Sequence, residues 1–172
     1  NIIGCKSGSR LDNWRSDDDR QNHQNDDAQP ENGELVFSNP SDADAILTKG
    51  GAAENFEFAV NLRLVEVFGK NAAFGFLLLN EKNEEIERFA FEGESGNFYL
   101  SAENASQRFP LPKNFAPENL RQFRFLKLNE KIVLQSEEAD SGEISVNENQ
   151  AKIAVFGRNS AVALEMARLT VL

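Results

Sequence analysis

Apolar and polar residues alternate with a period of two through the middle of this chain. The clearest stretch runs Phe56, Phe58, Val60, Leu62, Leu64, with Glu57, Ala59, Asn61 and Arg63 between them. Side chains two apart on a strand leave by the same face, whereas a helix would scatter this pattern around its circumference. Four Phe-x-Phe pairs carry the same signal: Phe56/Phe58, Phe74/Phe76, Phe89/Phe91 and Phe123/Phe125. Each pair aims two rings at one core. Short apolar runs predict strands over 34–38, 45–48, 55–66, 72–80, 87–92, 97–102, 120–128, 131–135, 143–146, 151–156 and 162–172. Turn chemistry separates them: Asn32-Gly33, Lys49-Gly50-Gly51, Asn80 to Asn83, Gly93 to Gly96 and Asn129-Glu130. The connections at 80–84 and 93–96 read as hairpins, so 72–102 is expected to be an antiparallel meander. Arg108-Phe109-Pro110-Leu111-Pro112 marks an edge or a crossover loop, because proline cannot donate to a central ladder. Many short strands without a convincing helix predict an all-β fold, a two-sheet antiparallel jelly-roll sandwich.

The N-terminal part breaks this rhythm. Residues 6–32 hold few apolar side chains beyond Leu11, Trp14, Ala28 and Pro30, too few to offset the entropy of ordering them. A polar segment, 1–32, is therefore expected to pack on or tether a sandwich domain, 33–172, as a long loop pinned by Trp14 or a partly disordered one. Near its start, Ile2-Ile3-Gly4-Cys5 matches the end of a bacterial lipoprotein signal, with Lys6-Ser7-Gly8-Ser9 as a tether. This reading gives a lipid anchor at Cys5 and a secreted or cell-surface location. The alternative is a free thiol in an N-terminal strand.

Charge narrows the partners. The 172 residues carry 28 Asp+Glu against 18 Lys+Arg, a formal charge of −10. Nucleic acid is an unsuitable ligand, because binding phosphates needs lysines and arginines gathered on one face. No run approaches the roughly eighteen apolar residues of a membrane-spanning helix. With one cysteine, Cys5, no internal disulfide forms.

The chemistry on offer is sparse. One histidine, His23, and one cysteine argue against a nucleophile–base pair and against zinc. Asp17, Asp19 and Asp27 in the polar segment supply oxygen donors of the kind calcium accepts, without EF-hand spacing. Glu84, Glu85, Glu87, Glu92 and Glu94 fall near predicted turns and read as a solvated rim. Fourteen Phe against one Trp and one Tyr leave little for an aromatic sugar platform beyond Trp14. The outward residues Glu57, Asn61 and Arg63, with Gln122 and Arg124 from another strand, are instead the candidate polar face for glycan hydroxyls. Cross-strand charge pairs are the competing reading of the same residues.

The ordered series Leu11-Asp12-Asn13-Trp14, Gly33-Glu34-Leu35, Ala45-Ile46-Leu47-Thr48, Asn55-Phe56-Glu57-Phe58, Phe74-Gly75-Phe76 and Val162 to Thr170 resembles the concanavalin A-like lectin/glucanase superfamily. The likeness is to its accessory or stand-alone jelly-roll domains in bacterial glycan-degrading systems, and it covers residues 11–172. It implies a carbohydrate-binding or accessory module with an oligo- or polysaccharide partner, alone or beside a larger enzyme or assembly. The Glu-x-Asp-x-Glu strand of the β-glucan hydrolases is absent, so that activity does not carry over. Relatives often hold a structural Ca²⁺ with an acid in the closing strand, which makes Glu165 a further candidate ligand here. A glycoside hydrolase or lyase using rim carboxylates, and an interaction domain without a glycan ligand, remain the alternatives.

Overall fold

The computed structural model describes residues 14–16, 29–31, 34–94, 97–111, 115–137 and 140–172. Among them, fourteen strands form two seven-stranded sheets, numbered here in chain order. The first sheet runs, edge to edge, β1 (Trp14–Ser16), β4 (Ala45–Ala53), β13 (Ala151–Arg158), β6 (Ala73–Leu79), β7 (Glu85–Glu94), β8 (Asn97–Ala102) and β9 (Gln107–Pro110). The second runs β12 (Ile144–Ser145), β11 (Lys131–Gln135), β10 (Arg121–Leu128), β5 (Phe56–Val67), β14 (Ser160–Val171), β3 (Glu34–Asn39) and β2 (Gln29–Glu31). The pairings within each sheet are antiparallel. The expected meander is present as β6-β7-β8, extended by β9.

The paired phenylalanines are the inward rungs of both layers. Phe56, Phe58, Phe123 and Phe125 come from the second sheet, Phe74, Phe76, Phe89 and Phe91 from the first, and all eight are buried. They meet across the interior: Phe89 stands edge-on to Phe125 with ring centroids 5.1 Å apart, and Phe91 packs 5.2 Å from Phe123. Such aromatic contacts add to burial of apolar area, which dominates the stability of a sandwich core.

Strand β6 is buried on both faces, as its unbroken apolar run suggested. Its second face joins Ile46, Leu77, Ala90, Ala154 and Phe156 in a separate apolar cluster. The guanidinium of Arg88 lies 4.6 Å over the Phe156 ring there. Gly75 is required at the centre of β6. A Cβ at this position would lie 2.0 Å from the carbonyl oxygen of Phe89, on the neighbouring strand.

Several sequence expectations are corrected. Lys49-Gly50-Gly51 is not a turn but the interior of β4, where the register against β13 shifts between Ala151 and Ile153. Gly50 takes a φ of +70°, and a Cβ there would approach Leu169 Cδ2 to 2.5 Å. Turn-type residues serve equally for a bulge, and only the partner strand distinguishes the two. The polar stretch 6–32 contributes two short edge strands, β1 and β2, which composition hid. The Pro110 segment, by contrast, is at an edge as one of its two readings had it, forming the edge strand β9.

Candidate functional site

The outer face of the second sheet is built from three adjacent strands. On β5 the alternation that buries Phe58, Val60 and Leu62 turns Glu57, Ala59, Asn61 and Arg63 outward. On β10, Gln122 stands opposite Asn61, and Arg124 opposite Ala59. On the other side of β5, β14 sets Glu165 against Asn61, Arg168 against Ala59 and Thr170 against Glu57. The β14 register shifts between Glu165 and Arg168, and Met166 lies in this bulge with a φ of +55°. A bulge re-aims the side chains around it, and a non-glycine residue in the left-handed region stores strain typical of functional positions.

These residues enclose a groove of about 410 Å³ lined by Glu57, Asn61, Gln122, Met166, Arg168 and Thr170, with Ala59 between them. Ala59 accounts for its depth, because a one-carbon side chain sits between Arg124 and Arg168 in the cross-strand row. Among the described residues, the side chains of Asn61, Gln122, Arg168 and Thr170 make no hydrogen bond or ion pair to the protein. Polar groups in a folded chain are mostly satisfied by protein or water, so four open ones around one groove form a surface suited to a polar ligand.

The structure divides the predicted face. Glu57, Asn61 and Gln122 line the groove. Arg124 flanks it, donating from one terminal guanidinium nitrogen to Glu57 Oε2 at 2.8 Å. That hydrogen bond and the field of Glu57 raise the Arg124 pKa above its ordinary value. Arg63 turns towards β3, where Nε and a terminal nitrogen donate to the two carboxylate oxygens of Glu34, both at 3.0 Å. Trp14 does not join them: its strand pairs with β4 in the other sheet, Trp14 opposite Lys49. Sequence reasoning missed Met166, Arg168 and Thr170. Their signal was present in the alternation of β14, but nothing local said that β14 lies beside β5.

The calcium set divides likewise. Asp17, Asp19 and Asp27 lie outside the described residues, as do Cys5 and His23. Glu165 is on the outer face of β14, and among the described residues no group of three or more carboxylate, histidine or cysteine side chains gathers to hold a metal.

A second polar cluster occupies the outer face of the first sheet. There the acids read as a solvated rim are largely engaged. Arg88 binds Asp44 Oδ2 at 2.6 Å and Glu85 Oε1 at 2.6 Å, and stands 3.8 Å from Glu103 Oε2. Burial opposes the Arg88 charge, but the hydrogen bond to Glu85 and the field of Asp44 outweigh it, raising its pKa. Glu87 instead shares the inward parity of Phe89 and Phe91 at the end of β7, where it is buried and accepts backbone N–H groups of Arg88, Asn104 and Ala105 at 2.7, 2.9 and 3.0 Å. The Tyr99 hydroxyl donates to Glu92 Oε2 at 2.8 Å, and the Arg108 guanidinium covers the Tyr99 ring at 4.2 Å. A cavity of about 550 Å³ lies beside Tyr99, Glu103 and Arg108. Glu92, accepting the phenol's hydrogen bond, raises the Tyr99 pKa, and the ring stays a protonated donor at neutral pH.

No protein-family model and no curated protein sequence matches this chain. Solved structures do. A sialidase superposes over 99% of this chain with a TM-score of 0.68 and 12% identity, the chain spanning 18% of that protein. An alginate lyase from Pseudomonas aeruginosa superposes with a TM-score of 0.67 and 7% identity, over 84% of this chain and 85% of its own. The carbohydrate-binding module CBM66 from Bacillus subtilis matches over 98% of this chain and 96% of its own, with a TM-score of 0.56 and 7% identity. The fold is thus a two-sheet antiparallel jelly-roll sandwich, shared with these structures.

Proposed function

We propose that the chain is a non-catalytic carbohydrate-binding module of a bacterial surface or secreted protein, holding its glycan in the groove on the second sheet. The observation that carries this reading is the set of unengaged polar side chains, Asn61, Gln122, Arg168 and Thr170, around one groove of about 410 Å³. Amide and hydroxyl groups are matched to vicinal sugar hydroxyls, each able to donate and to accept. The exposed Met166 offers an apolar edge for sugar C–H groups. The near end-to-end superposition on a carbohydrate-binding module adds support, as does the match to a minor part of a far longer sialidase. A lipid anchor at Cys5 and a structural calcium ion belong to the same proposal.

The test is a glycan array followed by calorimetry on the best ligand. Asn61→Ala/Gln122→Ala together is expected to weaken binding roughly 5- to 150-fold, from the loss of two hydrogen bonds of about 0.5–1.5 kcal/mol each. The melting temperature stays within a degree or two, because neither side chain holds the fold. A parent protein that retains no glycan overturns the reading.

The catalytic alternative rests on the other face, where Glu92, Tyr99, Glu103 and Arg108 border a cavity of about 550 Å³. Alginate lyases stand among the structural neighbours. Tyr99, its pKa raised by the hydrogen bond to Glu92, is held as the neutral phenol there, a hydrogen-bond donor at neutral pH. Turnover of a polyuronate that disappears in Tyr99→Phe establishes this alternative in place of the first.

A further inference from the structure

We infer that the groove on the second sheet is selective for an acidic sugar, its carboxylate or sulfate held over Ala59 by Arg168; this rests on the carbohydrate-binding reading above. Among the described residues, Arg63, Arg124 and Arg168 stand on this face. Arg63 is tied to Glu34 through two hydrogen bonds of 3.0 Å, and Arg124 to Glu57 through one of 2.8 Å. Both guanidinium groups already face a carboxylate. Arg168 lines the groove and has no ion pair among the described residues. With Glu57 neutralised by Arg124, the lining keeps a net positive charge, although the chain as a whole carries −10.

The local structure explains how that charge is presented. In the cross-strand row through Ala59, Arg124 stands on one side and Arg168 on the other. Neighbouring strands lie about 4.8 Å apart, so a planar anion resting over the alanine is within reach of the Arg168 fork. Glu165 is on the same strand but does not border the groove, and the bulge at Met166 separates it from Arg168. On an unbroken strand residues 165 and 168 would leave by opposite faces, so the one-residue insertion at Met166 is what turns Arg168 outward onto the groove. Asn61 and Gln122 flank the anion position with amide groups for the neighbouring hydroxyls. An overall acidic surface repels polyanions at long range, so this contact works at short range and binding stays modest in low salt.

The experiment uses calorimetry on the full chain with tetra-uronates (galacturonate, mannuronate and glucuronate), their carboxyl-reduced counterparts, and a sulfated neutral tetrasaccharide. At least one uronate or the sulfated sugar is expected to bind about 10- to 100-fold more tightly than its uncharged form, and which of the two does so identifies the anion. Arg168→Gln is expected to abolish that preference, Arg168→Lys to keep part of it, and Lys70→Gln, an equal charge change on an exposed turn, to leave it intact. Equal affinity for charged and uncharged forms overturns the inference, as does a preference that survives Arg168→Gln. Either result leaves the carbohydrate-binding reading standing if neutral glycans bind in the groove. Failure to bind any glycan removes both.

Discussion

Lys127 tests how the ends of the sandwich are held. It follows Phe123 and Phe125 at the next inward position of β10 and is completely buried. Its Nζ donates to the carbonyl oxygens of Glu54 at 2.8 Å, Asn129 at 2.5 Å and Asn149 at 2.7 Å. One ammonium group thus pins three connections that are far apart in sequence. Lys127→Met keeps most of the stem and orphans all three carbonyls. Hydrogen bonds to a charged group contribute about 1.5–3 kcal/mol each. Returning the ammonium to water in the unfolded state offsets several kcal/mol of that sum. A net loss of about 3 kcal/mol remains, which lowers the melting temperature by about 6–12 °C for a chain of this size. Thermal and urea melts of both proteins measure it. The pH dependence supplies a second readout. Burial lowers the Lys127 pKa from its ordinary 10.5, against the raising fields of Glu54 and Glu130. Between the folded and unfolded values the unfolded chain binds more protons, so the parent gains stability as pH rises through the window just below 10.5. Lys127→Met loses that slope. A variant as stable as the parent, with the same alkaline profile, would refute the argument.

Two further stability outcomes are expected. Gly75→Ala places a Cβ 2.0 Å from a backbone oxygen in a central strand pair, so β6 and β7 must part. A loss above about 3 kcal/mol is expected in chemical denaturation, and an unchanged midpoint would show that the strand pair yields freely. Glu87→Ala removes the acceptor for the Asn104 and Ala105 amides. It is expected to cost about 2–4 kcal/mol and to speed hydrogen exchange at those two amides; unaltered exchange there would mean that the turn holds itself.

Much of the fold was legible because strand periodicity is a local property. Phe56, Phe58, Phe123 and Phe125 face inward for the same reason that Glu57, Asn61, Gln122 and Arg124 face outward. The acids of β7 were misread because the sequence around Glu87 is polar and near a turn, and its three amide donors come from its own neighbour and from residues 104 and 105. Lys127 shows the same limit. It is buried at an inward position of β10, and the carbonyls that make this tolerable for an ammonium group belong to three separate loops.

The alternation of side chains along each strand, and with it the two-layer architecture, came from the sequence alone. Which strands lie side by side was decided by tertiary structure. Gln122 and Asn61 were grouped in advance, but Arg168 reaches their groove because β14 pairs with β5 about a hundred residues away. The bulge at Met166, and the carboxylates that occupy Arg63 and Arg124, also depend on that lateral order. The physical reason is that a strand's faces are set by covalent geometry within a few residues. Its neighbours are chosen by hydrogen-bond ladders and core packing among segments that no local pattern connects.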